Sequence, residues 1–289
     1  MHKVNVMKKS FILSFAIGLI IISSSLVFGQ FSVGATLFEG GMKAYNEGRY
    51  SEAERLFRLV IIEVDLVEKE RNPLAPAFLS DTLNALAGAL HGQGKLVDAE
   101  HIILKQIQLL EKEKFESDSD FSQTSAALNN LGLLYAEQKK FKEAEETHRK
   151  AIRLREKYDG TPQRNLGVSL GNLGKVYYDQ GKYLEAEPFF RQAQNIFLAI
   201  GPDNATDEDI NVMLMASNNL GLIAVRRGQY KEAENRYLTV IRITEDMKGR
   251  NHPDLIQYLK NYSELLRLTK RFTIAKREDS RITLISKQK

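Results

Sequence analysis

Apolar side chains recur along most of the chain at three- and four-residue intervals, the period of a helix that buries one face. Leu128, Leu131, Gly132 and Tyr135 fall at i, i+3, i+4 and i+7 and so share one side of a helix. A second run opens at Phe141 and turns Ala144, His148 and Ala151 to one side. Breakers stand between such runs: Lys139-Lys140, Gly181-Lys182 and Gly228-Gln229, and glycine suits the positive-φ residue that ends a helix. The pattern predicts helical hairpins, an all-α chain with no strand.

The hairpins repeat. Leu128-Asn129-Asn130-Leu131-Gly132 returns as Leu170-Gly171-Asn172-Leu173-Gly174 and as Ser217-Asn218-Asn219-Leu220-Gly221. Each is followed by an aromatic and then Glu-Ala-Glu, as in Phe141 to Glu145, Tyr183 to Glu187 and Tyr230 to Glu234. The same register places Ala53, Ala99, Ala144, Ala186, Ala233 and Ala275 in one column, at spacings of 46, 45, 42, 47 and 42 residues. Six units are expected, over about 36–70, 80–114, 125–158, 167–200, 214–248 and 256–285. A single hairpin leaves its second face bare, so such units stack into an array in which each packs on its neighbours. The expected fold is therefore an α-solenoid, a superhelix filling residues 30–289. Breaker clusters such as Asn72 to Pro76, Asp159 to Pro162 and Gly201 to Asn204 carry the extra length between units, as longer loops or extended helices.

The motif resembles the tetratricopeptide repeat, whose Leu-Gly-x-x-Tyr and Ala-x-x-x-Phe read here as Leu173-Gly174, Tyr177, Ala186 and Phe190. The long spacing is similar to that of kinesin light chain-like repeats, as are Gly249 to Asp254 and Glu185 to Pro188. The first unit departs from the pattern with Gly40-Gly41, and the last places Asp279 and Ser280 where a core aromatic belongs, as suits a polar capping helix. The resemblance implies that first helices line a concave groove that takes a peptide.

Catalytic and cofactor chemistry finds little purchase. The chain has no cysteine, which excludes disulfides, thiolate nucleophiles and cysteine-held metal centres. Its five histidines form no i, i+4 metal pair, and His91 and His101 belong to different helices of one hairpin. Gly171 to Lys175 is not a phosphate loop, since Val176 stands where Ser or Thr is required. The carboxylate pairs of each Glu-Ala-Glu, Glu143/Glu145 for example, read as solvated outward faces. No catalytic residue, cofactor or metal is expected. Nucleic acid is not an expected partner either, because aromatic and basic residues do not interleave as a stacking platform would.

The formal charge of +4 is unevenly placed. Residues 260–289 hold nine Lys/Arg against three Asp/Glu. Lys3, Lys8 and Lys9 precede an uncharged run from Ser10 to Phe38, of which Phe11–Ile22 is nearly all hydrocarbon. That describes a signal peptide over residues 1–29, cleaved after Gly29, or an uncleaved membrane anchor over residues 10–28. Either places the remainder outside the cytoplasm, periplasmic or secreted, with membrane contact only through this segment.

The expected function is a non-catalytic scaffold binding a peptide segment or protein partner; the other reading is an accessory subunit of an extracytoplasmic envelope or cell-wall enzyme or assembly complex. The candidate groove follows a recurring asparagine of the first helices: Asn130, Asn172, Asn219 and Asn261, with Asn129 and Asn218 beside two of them. Three and seven residues further on lie Leu133 and Glu137, Lys175 and Asp179, Leu222 and Arg226, and Glu264 and Leu268. An asparagine amide both donates and accepts, matching the peptide unit of an extended ligand; the alternative is that these asparagines cap or stabilise contacts between repeats.

Overall fold

The computed structural model describes residues 32–68, 75–112, 118–157, 164–201 and 204–287. Among them run twelve helices and no strand, paired as six hairpins. These are α1 (Ser32–Asn46) with α2 (Tyr50–Glu68), α3 (Ala75–Gly92) with α4 (Leu96–Lys112), and α5 (Asp118–Glu137) with α6 (Phe141–Lys157). They continue as α7 (Arg164–Asp179) with α8 (Tyr183–Ile200), α9 (Asp207–Arg226) with α10 (Tyr230–Lys248), and α11 (Leu255–Leu268) with α12 (Phe272–Lys287). The hairpins divide three and three between two compact bodies, Met1–Thr161 and Pro162–Lys289. The expected leader, residues 1–29, lies outside the described residues.

First helices begin ahead of the expected unit starts, α5 at Asp118 and α9 at Asp207. Part of the extra length between repeats is therefore helix. At α9 the reason is visible: Thr206 accepts from the backbone N–H of Asp209 while the Asp209 carboxylate accepts from that of Thr206, a reciprocal capping box. Asp209 is buried and also receives Arg164 at 2.7 and 2.8 Å, tying the start of α7 to the start of α9. In α3, Pro76 sits in the first turn, where its missing N–H goes unused.

One lock closes every hairpin. A small residue of the first helix faces the side chain sixteen positions later in the second: Gly41 and Phe57, Ala87 and Ile103, Gly132 and His148, Gly174 and Phe190, Gly221 and Tyr237, Ser263 and Asp279. A methyl group added to Gly41, Gly132 or Gly221 would lie 2.5, 2.6 or 2.7 Å from the facing ring, so the absent side chain is what lets the ring in. In the last pair the packing contact gives way to a hydrogen bond, Ser263 Oγ to Asp279 Oδ1 at 2.7 Å. All six column alanines are buried, completing the seam between the two helices.

The hairpin turns are also alike. Each first helix ends on a left-handed residue five positions before the column alanine: Gly48, Gly94, Lys139, Gly181, Gly228 and Lys270, with φ between 61° and 78°. The next N–H folds back onto the helix, as Lys95 does onto Leu90 O at 3.0 Å and Lys140 onto Tyr135 O at 2.8 Å.

In hairpins one, two, four and five the second glutamate of the motif is not the solvated group the sequence suggested. It reaches the turn of the following hairpin. In the first body Glu54 holds Lys95 at 2.8 Å and Glu100 holds Lys140 at 2.9 Å; in the second Glu187 pairs with Arg227, and Glu234 holds Arg271 at 2.6 Å. Burial alone raises the Glu54 carboxyl. Hydrogen bonds from Lys95, Gln93 and Arg58 more than offset that and hold it down at about 2.

Candidate functional site

The first helices of neighbouring hairpins meet through polar side chains. In the first body, Ser80 Oγ of α3 donates to Gln123 Oε1 of α5 at 3.2 Å, Asn130 Nδ2 donates to Asn84 Oδ1 at 3.0 Å, and His91 Nε2 lies 2.9 Å from Glu137 Oε2. In the second body, Asn261 Nδ2 of α11 donates to Asn218 Oδ1 of α9 at 2.8 Å. Asn130 and Asn261 thus make the same bond, each to the amide at the preceding hairpin's Asn129 position. Asn219 has no such partner, because Gly171 fills that position in α7, and its Nδ2 turns back to Met215 O at 3.0 Å.

Asn129, Asn130, Asn218, Asn219 and Asn261 are therefore buried, between 4% and 7% exposed, and lie between helices rather than open to a groove. Asn129 Oδ1 is 3.2 Å from His148 Nδ1, inside its own hairpin. Asn172 alone among them is half-buried. A helical wheel of one hairpin shows these positions as a free face; the neighbouring first helix covers them.

The candidate positions further along each helix do reach solvent. Glu137, Asp179, Arg226 and Glu264 are exposed, and Leu268 is 52% exposed. Lys175, Leu133 and Leu222 are half-buried. Lys175 pairs with Asp179 one turn on, and the Arg226 guanidinium stacks 4.0 Å from the ring centroid of Tyr183. Asp81, which sequence reasoning passed over, lies on the same side of α3, one turn before Asn84, and burial lifts its carboxyl to about 6.

Neither His148 nor His101 belongs to a polar site between first helices. His148 is fully buried in the third lock, and burial pushes it down to about 3. His101 is exposed. Among the described residues no group of three His, Asp or Glu gathers as metal ligands do.

The chain matches the tetratricopeptide repeat family model over residues 123–199 and 212–277. No curated protein sequence matches it. Among solved structures it is similar to BtubC (BKLC) from P. vanneervenii, with TM-score 0.64 and 16% identity over 88% of this chain and 91% of that one. It is similar also to a putative kinesin light chain from Podosopora anserina with nearly identical TPR-like repeats, with TM-score 0.52 and 20% identity over 74% and 96%. Aspartyl phosphate phosphatase F from Bacillus subtilis aligns with TM-score 0.60 and 16% identity, over 89% of this chain and 60% of its own. At such identities the likeness is one of fold. With six locked hairpins, a family model matching in both bodies and neighbours of the same fold, the chain is a tetratricopeptide-repeat protein.

Proposed function

We propose that this protein is a non-catalytic scaffold, acting outside the cytoplasm, that holds a peptide segment of a partner protein against the exposed sides of its first helices. One observation carries the reading. The column alanines, the small lock residues and the left-handed turn residues recur from hairpin to hairpin, whereas the positions that reach solvent, wholly or in part, change in charge and size each time: Leu133 and Glu137, Lys175 and Asp179, Leu222 and Arg226, Glu264 and Leu268. A recurring frame with varied outward side chains is what selecting one partner among many requires. The buried asparagines act one layer below, setting the spacing of the first helices.

The partner is to be captured from the native envelope fraction and identified by mass spectrometry. Lys175→Ala with Arg226→Ala and Glu264→Gln should then weaken binding about tenfold or more, at roughly 1–1.5 kcal/mol per lost contact, with melting nearly unchanged. Asn130→Ala should do the reverse, lowering stability by about 1–2 kcal/mol because it strands the Asn84 amide, with affinity of the folded protein retained. Loss of affinity from Asn130→Ala and none from the exposed set would overturn the reading. Export rests on the uncharged run after Lys8-Lys9. A reporter active only outside the cytoplasm should work when fused to residues 1–40 and fail with Ile17→Asp and Ile20→Asp, at about 2.5–3.5 kcal/mol per charge.

A further inference from the structure

The two bodies differ in the charge of their first helices. Those of the first body carry Glu39, Asp81, Asp118, Asp120 and Glu137 against Lys43 alone. In α7, α9 and α11 the signs balance, with Arg164, Lys175, Arg226, Lys260 and Arg267 against Asp179, Asp207, Glu208, Asp209 and Glu264.

Within the acidic set Asp81 stands apart. It lies beside Ser80, which is bonded to Gln123, and one turn before Asn84, which is bonded to Asn130, so it borders the junction of α3 and α5. It is part-buried, and no described residue gives it a hydrogen bond or a counter-charge. Desolvation is the sole influence on its carboxyl, raised from 3.8 to about 6. Glu39 is exposed at the position in α1 that Asn130 holds in α5, and Glu137 marks the far end of the same side, on His91.

Resting on the scaffold reading above, we infer that the first-helix side of α1, α3 and α5 receives a basic segment of the protein partner, one of whose arginine or lysine side chains docks on Asp81. The chemistry selects this occupant. A part-buried carboxylate without a partner is costly to hold, and a cation that hydrogen-bonds to it removes that cost. A metal ion would need further ligands, and no such group is gathered among the described residues. A guanidinium needs one carboxylate, which it grips with two parallel hydrogen bonds. Glu39 and Glu137 then attract the basic residues on either side.

The test uses the full chain and two fluorescent decapeptides, one rich in arginine and lysine and one with glutamine in their place, read by anisotropy. The basic probe should bind at least about tenfold tighter at low salt. Asp81→Asn should weaken the basic probe about tenfold while melting holds or rises, since a partly desolvated charge has been removed. Glu39→Gln should weaken it less. Glu111→Gln, on the second helix α4, should leave it unchanged. Asp81→Asn binding like the parent, or Glu111→Gln weakening it equally, would overturn the inference. If the native partner is lost by the triple change at Lys175, Arg226 and Glu264 but kept by Asp81→Asn, the scaffold reading stands and this inference falls. If neither change affects the partner, both fall.

Discussion

Hairpins three and five close on the same lock but fill it differently. In the fifth, the Tyr237 ring lies against Gly221; in the third, the His148 imidazole lies against Gly132 at almost the same spacing. Phe190 does the same for the fourth hairpin. In hairpins one, three, four and five the position holds a flat ring and is indifferent to what the ring is made of. That indifference has a cost. His148 Nδ1 faces the Asn129 oxygen and so carries the hydrogen, leaving Nε2 fully buried without a partner. The first body thus holds inside its core a group that protonates readily in the unfolded chain; in hairpins four and five the second body puts a phenyl or phenol there.

The largest expected effect breaks the lock itself. Gly221→Leu forces a side chain into the Tyr237 ring and should cost about 3 kcal/mol in urea unfolding followed by circular dichroism. Gly132→Leu should cost much the same, since His148 is equally close. An unchanged midpoint in either would show that the ring is free to leave. Next comes the difference between the rings. His148 is held at about 3 when folded, against about 6.5 in an unfolded chain. The unfolded state therefore takes up the proton first, and stability of the first body falls as pH drops from about 6.5 towards 3. At pH 5 the loss is about 2 kcal/mol. His148→Phe should abolish that loss and leave the acid unfolding that follows glutamate protonation below about 4.5, where clamps such as Glu54 release. If the variant kept the pH 5 loss, the imidazole would not be its source. The smallest effect concerns the turns. Lys139→Gly and Lys270→Gly relieve a side chain held at positive φ and should each stabilise by about 1 kcal/mol. A destabilisation would mean these lysines make contacts that outweigh the backbone strain.

Much of this was legible in the sequence because it is local. The period of apolar residues, the column alanines and the breakers between paired helices all lie within one hairpin, and each is there in the structure. What escaped reading lies between hairpins. The partner of Glu54 is Lys95, forty-one positions away, and that of Glu187 is Arg227, which does not even occupy the same column as Lys95. The asparagines looked outward because a single helical wheel contains no neighbour; α3 and α9 supply the covering surface for Asn130 and Asn261. Asp81 gave no signal, since lacking a partner is a property of space and not of spacing. The division into two bodies between Thr161 and Pro162 also left no mark in composition that the repeat pattern did not already claim.

The glutamate clamp has a consequence for assembly. Each connection runs from the back of one hairpin to the turn of the next, a head-to-tail bond between unlike surfaces, and such bonds have no built-in end. Copies carrying a free acid at one terminus and a free base at the other would thread into fibres. The first and last described hairpins are both blunted in this respect. At the front, Arg49, which occupies the column of Lys95 and Lys140, is already held by Glu47 and Glu52 of its own hairpin. At the back, the column that reads glutamate in every earlier hairpin reads Lys276, which is exposed and repels the base an incoming turn would offer. The connector that joins hairpin to hairpin is thereby not offered to neighbouring molecules by the first and last described hairpins.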